Sequence, residues 1–201
     1  MVQLHRGLWR FLALSALAGQ SAIGAAHAEN AGWDVEKGVE TPSYAVGEPA
    51  STNMNVDAIV LSCEQGLGGT GLQLRLYLAG SGPLAPKGVG VLKDHPSLEF
   101  AIDGLRYAAH LAFADEFVIV SDRTDGMTPL LSETLIAALQ HGRRMEMRFD
   151  LIQEAAGQAP RFDSSVVVDL QAGRGGSAVA AVRRCAGQPG QQVADKAPKG
   201  S

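Results

Sequence analysis

The sequence predicts a mainly β domain: an antiparallel β-sandwich or half-open barrel carrying one mid-chain helix and one short C-terminal helix. Three observations predict it. Apolar and polar residues alternate through most of the middle of the chain, as where Leu72, Leu74, Leu76 and Leu78 face away from Gln73, Arg75 and Tyr77; that is the period of a strand with one buried face. Asp103-Gly104 lies between two such runs and suits the positive φ angles of a type I′ hairpin turn. Helical spacing is confined to two short segments, which leaves few parallel crossovers.

The chain begins with a leader. Met1 to Arg10 carries His5, Arg6 and Arg10 and no acid, Phe11 to Ala26 is apolar, and Ala26-His27-Ala28 has small residues at its two outer positions. This pattern reads as a secretory signal peptide over 1–28, cleaved after Ala28. The rival reading is a retained membrane helix. A spanning helix takes about 20 predominantly apolar residues, and this run is shorter and includes Ser15, Gln20 and Ser21. The expected location is the periplasm or the exterior, with no stable membrane insertion after cleavage.

The mature chain is long enough for one domain with a sizeable core. Two of the 17 basic residues fall in the leader and all 21 acids lie beyond it, so the mature chain carries a net charge of −6. A mildly acidic, evenly spread balance argues against nucleic acid, which calls for a basic stripe, and against an anionic membrane surface. The expected organisation is a single β-rich domain over 29–186. A disordered tail over 187–201 should follow, where Gly, Gln, Pro and Lys leave almost nothing to bury.

In chain order, Val56 to Glu64 reads as a buried strand and Leu72 to Leu78 as the next. Leu98 to Ile102, Leu105 to Phe113 and Phe117 to Ser121 read as a three-stranded meander. Thr128-Pro129 reads as the cap and first-turn proline of a helix; Leu131, Leu135, Ala138 and Leu139 form its apolar stripe and Gly142 its end. Met145, Met147, Phe149 and Leu151 alternate along one strand, and Val166, Val168 and Leu170 along the last. A second helix runs from Ser177 to near Cys185, with Val179 and Val182 inward. Trp33 reads as a core or edge aromatic.

Cys63 and Cys185 are the two cysteines. In an oxidising compartment they allow one intramolecular disulfide; the alternative is an intermolecular or free pair. No Cys-x-x-Cys spacing marks a redox site.

Several motifs tempt. Gly66, Gly68 and Gly71 stand in a Gly-x-Gly-x-x-Gly pattern, with Gly69 between them. A dinucleotide fingerprint needs a helix next, whereas Leu72-Gln73-Leu74-Arg75-Leu76 is a strand pattern. The four glycines are therefore expected in a flexible hairpin loop that a partner could touch. Asp122-Arg123-Thr124-Asp125-Gly126 lacks the acid spacing of a calcium loop and reads as a polar turn. His95, His110 and His141 have no i+4 partner and no Glu-x-x-His neighbour, so no metal is expected. No cofactor is expected either. Gly80-Ser81-Gly82-Pro83 is not a nucleophile elbow. Glu64, Asp103 and His110 are acid–base candidates only in kind, since catalytic pairs are recognised by geometry.

The order of features resembles a known group. An early Gly32-Trp33-Asp34 precedes a strand ending in Cys63; a helix ending Leu139-Gln140-His141-Gly142 feeds a strand; and Val166 to Leu170 is followed by a small helix reaching Cys185. This layout resembles the small bacterial periplasmic proteins of the invasion-associated locus B type and is similar to the VasI group associated with type VI secretion. The resemblance implies a periplasmic β-sandwich accessory or interaction protein. It implies no catalytic set.

Three functional expectations follow. The first is a non-enzymatic binding or accessory module of the cell envelope, whose partner is an unknown protein or glycan. Its contact surfaces would be the loops 66–71, 81–90 and 122–127. The second is an inhibitor of a periplasmic or host enzyme, such as lysozyme. The third is a hydrolase in which His110 or His95 meets a carboxylate in a concave site.

Overall fold

A computed structural model describes residues 32–38, 43–80, 82–87, 90–159 and 161–185. The expected signal peptide over 1–28 and the expected tail over 187–201 lie outside these residues.

Two antiparallel sheets face each other across one apolar core. The larger has six strands in the order β1 (Asp34–Glu36), β2 (Tyr44–Gly47), β4 (Val56–Gly66), β5 (Gly69–Leu78), β9 (Phe117–Ser121) and β8 (His110–Phe113). The smaller has five, in the order β3 (Ser51–Thr52), β13 (Ser164–Asp169), β12 (Arg144–Ile152), β6 (Leu92–Ile102) and β7 (Leu105–Tyr107). A separate hairpin joins β10 (Arg123–Asp125) to β11 (Thr128–Leu130). The helices are α1 (Glu133–His141) and α2 (Gly176–Arg183). The architecture is β-sandwich-like and open, as the alternation predicts.

The inward faces follow the period of two. Leu72, Leu74, Leu76 and Leu78 are buried against Phe100, Met145, Met147, Phe149, Val166 and Val168 from the opposite sheet. On β4 the register slips between Val56 and Ala58, leaving Asp57 as the extra residue. This bulge lets Val56, Ile59 and Leu61 all reach the core despite their uneven spacing. Trp33 is fully buried. Its backbone is clasped by the turn before α2, with Trp33 N–H to Ala172 O at 3.1 Å and Arg174 N–H to Trp33 O at 2.7 Å.

Two expectations need correction. Leu105 to Phe113 is not one strand of a meander: β7 returns on β6 around Asp103-Gly104, both at positive φ, while β8 pairs with β9 in the other sheet. Ala108 and Ala109 carry the chain across the sandwich. Alternation reports which residues point inward, and it is blind to which sheet they belong to. The mid-chain helix also starts later than Thr128. Thr128 and Pro129 pair with Asp125 and Thr124 in a hairpin, where an edge position needs no proline N–H. The cap is Ser132, whose hydroxyl accepts the Leu135 N–H at 3.2 Å, with Glu133 in the first turn.

The stretch from Tyr44 to Asn55 has no clear signature in the sequence, yet it serves both sheets. β2 extends the larger sheet beside β4, and β3 crosses over to pair with β13.

Candidate functional site

The antiparallel register of β5 and β9 decides which loops meet. Tyr77 pairs with Phe117 and Leu74 with Val120, so the chain leaving β9 at Ser121 travels toward the start of β5. The β4–β5 turn at Leu67-Gly68 and the β10–β11 turn at Gly126-Met127 therefore project from the same end of the sandwich. They are fastened there. The Gly68 N–H donates to Asp125 Oδ2 at 2.7 Å, and the Thr128 hydroxyl reaches Gln65 O at 3.4 Å.

Glycines make this contact possible. A Cβ on Gly66 would lie 2.5 Å from Asp125 Oδ2, and one on Gly71 would lie 2.7 Å from Leu130 Cδ1. Gly66 pairs with Gly69 across the turn, and Gly69 has φ near 132°. Of the four glycines singled out in the sequence, Gly66, Gly68 and Gly71 abut the second hairpin and Gly69 takes a backbone conformation suited to glycine. No helix follows them, so the arrangement is a hairpin and not a nucleotide cradle.

The second hairpin is anchored at its base. Asp122 accepts from the Ser132 N–H at 2.6 Å and from the Ser132 hydroxyl at 2.5 Å, tying the hairpin to the cap of α1. Arg123 Nε donates to Leu131 O at 3.0 Å, and Gln73 Nε2 donates to Pro129 O at 2.8 Å. The result is a double tip carrying two bare apolar side chains: Leu67 is 86% exposed and Met127 97%. Sequence reasoning named both turns and overlooked these two side chains. The signal was there, since each is a large apolar residue inside an otherwise polar or glycine-rich turn.

The third expected surface, 81–90, is separate. It follows the far end of β5, a strand of ten residues and so about 30 Å long. Its described part is strapped to the β3–β4 turn, by Asn55 N–H to Ala85 O at 3.1 Å and Lys87 N–H to Asn53 O at 2.6 Å. Ala85 and Lys87 are thus held to that turn.

Cys63 and Cys185 are joined, with Cα atoms 6.4 Å apart, within the span a disulfide bridges. The bond ties β4 to the end of α2. The three histidines among the described residues do not converge: His95 and His110 are exposed on β6 and β8, and His141 is exposed at the end of α1. Among the described residues none lies within 4.0 Å of a carboxylate oxygen, and no group of three or more His, Cys, Asp or Glu side chains is placed to hold a metal ion. Among the described residues the His–carboxylate pair that the hydrolase reading calls for does not form around His95 or His110. Of the other acid–base candidates, Asp103 accepts from the Arg143 and Arg144 N–H groups at 2.9–3.1 Å, a structural turn, and Glu64 is paired with Arg75.

Electrostatic tuning concentrates at the opposite end from the double tip, where Lys93 bridges Asp150 at 2.6 Å and Glu154 at 2.7 Å. The Lys93 ammonium, followed by the N–H groups of Glu154 itself and Arg161, holds the Glu154 carboxyl down at about 2. Bonds to Asp150 and then Glu154 raise Lys93 above its ordinary value. Tyr44 is raised as well, because its hydroxyl donates to Glu36 at 2.5 Å. No helix among the described residues is long and apolar enough to cross a membrane. No family model, curated protein or solved structure matches this chain.

Proposed function

We propose that this protein is a non-enzymatic binding or accessory module of the bacterial cell envelope, exported to the periplasm, which grips a protein partner with the double tip formed by the β4–β5 and β10–β11 hairpins. One observation carries the reading: Leu67 and Met127 stand almost fully exposed on a tip held by the Asp125–Gly68 bond. Large apolar side chains on a pre-organised projection bind at low ordering cost and act as anchors when a partner supplies a matching pocket. The loose resemblance to the invasion-associated locus B and VasI types points the same way, as an analogy of layout.

The test is photo-crosslinking in envelope extract, comparing the wild type with the double variant Leu67→Asp/Met127→Asp. The expected outcome is a discrete crosslinked partner that disappears in the variant while the unfolding midpoint stays put. A partner retained by the variant would remove the tip from the proposal.

The same rigid projection favours a second reading, inhibition of a periplasmic or host enzyme by insertion of the tip into its cleft. Lysozyme activity measured with added protein checks it: inhibition that the double variant abolishes supports this reading, and unchanged activity removes lysozyme as the target.

A further inference from the structure

The two outer faces of the sandwich are chemically unlike. That of the smaller sheet is laced with ion pairs, Arg106 and Arg148 both meeting Glu99 and Arg144 lying 3.7 Å from Glu146. That of the larger sheet carries half-buried Tyr44, Val46, Val60, Tyr77, Phe117 and Ile119. Across β1, β2, β4 and β5 this face is hollowed into a groove of 580 Å³, inside the range of about 300–1,000 Å³ typical of small-ligand sites.

Two carboxylates and one guanidinium line the groove. Arg75 pairs with Glu64 and Glu36 accepts the Tyr44 hydroxyl. An anion would meet two carboxylates, and a cation would find only Glu36, already engaged by the Tyr44 hydroxyl, unless it displaced Arg75 from Glu64. Hydrogen-bonding capacity is left over. Of its five N–H groups, Arg75 commits Nε to Gln73 at 2.7 Å and one Nη2 hydrogen to Glu64. Each carboxylate keeps one oxygen, and the Tyr77 hydroxyl has no partner among the described residues. The aromatic wall is held still: Tyr77 leans on Phe117 with centroids 5.3 Å apart, and the Arg75 guanidinium caps Phe117 at 4.7 Å. Val46 and Val60 make the floor apolar.

A rigid phenol wall, an apolar floor and fixed donors and acceptors suit a polyhydroxylated molecule whose C–H faces can rest on rings while its hydroxyls find planar polar groups, the Glu36 carboxylate among them. We propose that this groove binds a neutral saccharide. The site is separate from the double tip and stands independently of it.

The test is a titration of the ¹⁵N-labelled mature protein with maltotriose, cellotriose and tri-N-acetylchitotriose, with spermidine as the cationic comparison. At least one trisaccharide should shift the amide signals of Val60, Glu64, Arg75 and Tyr77 in a saturable manner and leave those of Leu67 and Met127 in place. Tyr77→Ala should weaken that binding about tenfold, the loss of one ring contact and its hydrogen bond. Tyr44→Phe, which keeps the ring and the fold, should weaken it less by freeing the Glu36 carboxylate from its fixed position. Absence of shifts with all three sugars, binding of spermidine alone, or full affinity in both variants would overturn the proposal. Shifts confined to the tip would overturn it equally and leave the protein-partner reading intact.

Discussion

Asp125 Oδ2 accepts the Gly68 N–H at 2.7 Å, fastening tip to tip two hairpins that lie 57 residues apart in sequence. The bond turns what would be two independent loops into one projecting element. Its acceptor is charged and its donor is a turn amide that would otherwise face water.

Removing that acceptor should loosen the tip more than the core. Asp125→Ala is expected to cost about 1 kcal/mol in urea unfolding and to speed amide exchange at Gly68. Gly66→Ala should also destabilise, because its new Cβ displaces Asp125. The two changes act on one contact, so the double variant should lose less than the sum, by about 0.5 kcal/mol or more. Strict additivity would mean that the hairpins do not support each other.

The disulfide closes a separation of 122 residues. Chain-entropy reasoning for such a loop places its contribution at about 4–5 kcal/mol as an upper figure, with about 2–4 typical. Cys63→Ser/Cys185→Ser should lower the unfolding midpoint accordingly. Hydrogen exchange should rise first at Val179 and Val182, the buried residues of α2, since that helix loses its covalent tie to β4.

Acid should act through Glu154. Its folded pKa, about 2, lies below the ordinary 4.5, so the stability it contributes is complete above 4.5 and is lost as the pH falls toward 2. Lys93 is raised above 10.5; its contribution is complete below that value and fades only as the pH climbs through the raised one. The difference in thermal midpoint between the wild type and Glu154→Gln should therefore be constant near neutrality and shrink between pH 4.5 and 2. A difference that holds constant down to pH 2 would show that the Lys93–Glu154 pair is not formed in solution.

Trp33 should be costly to truncate. It is fully buried and lies against Gly47, where a Cβ would come within 3.3 Å of its ring. Trp33→Ala is expected to destabilise by about 3–5 kcal/mol, measured by chemical denaturation. In a protein produced from Glu29 onward Trp33 is the sole tryptophan, so its fluorescence should be blue-shifted and poorly quenched by acrylamide until the protein unfolds.

Much of this was legible in the residues. The leucine ladder from Leu72 to Leu78, the alternating methionines of β12, the Asp103-Gly104 turn and the inward valines of α2 follow from side-chain period and turn chemistry, which act over a few neighbours. The helix start was misread because Thr128-Pro129 and Ser132-Glu133 both carry capping chemistry, and only the pairing of Thr128 with Asp125 separates them. The candidate sites were harder to see. Leu67 and Met127 stand out in sequence only as large apolar residues in polar or glycine-rich turns, with nothing to show that the two turns meet, and the groove residues Glu36, Tyr44, Glu64, Arg75 and Tyr77 come from four strands.

The sequence by itself determined the strand-rich class, the faces of most strands and the two helices, because hydrophobic period and local backbone preference are properties of adjacent residues. The tertiary structure alone decided which sheet each strand joins, that the β4–β5 and β10–β11 turns meet, and that Arg75 lies among two acids and two phenols. Those outcomes depend on register and on packing between residues distant along the chain. A one-residue shift of β5 against β9 would exchange the inner and outer faces and dissolve both surfaces.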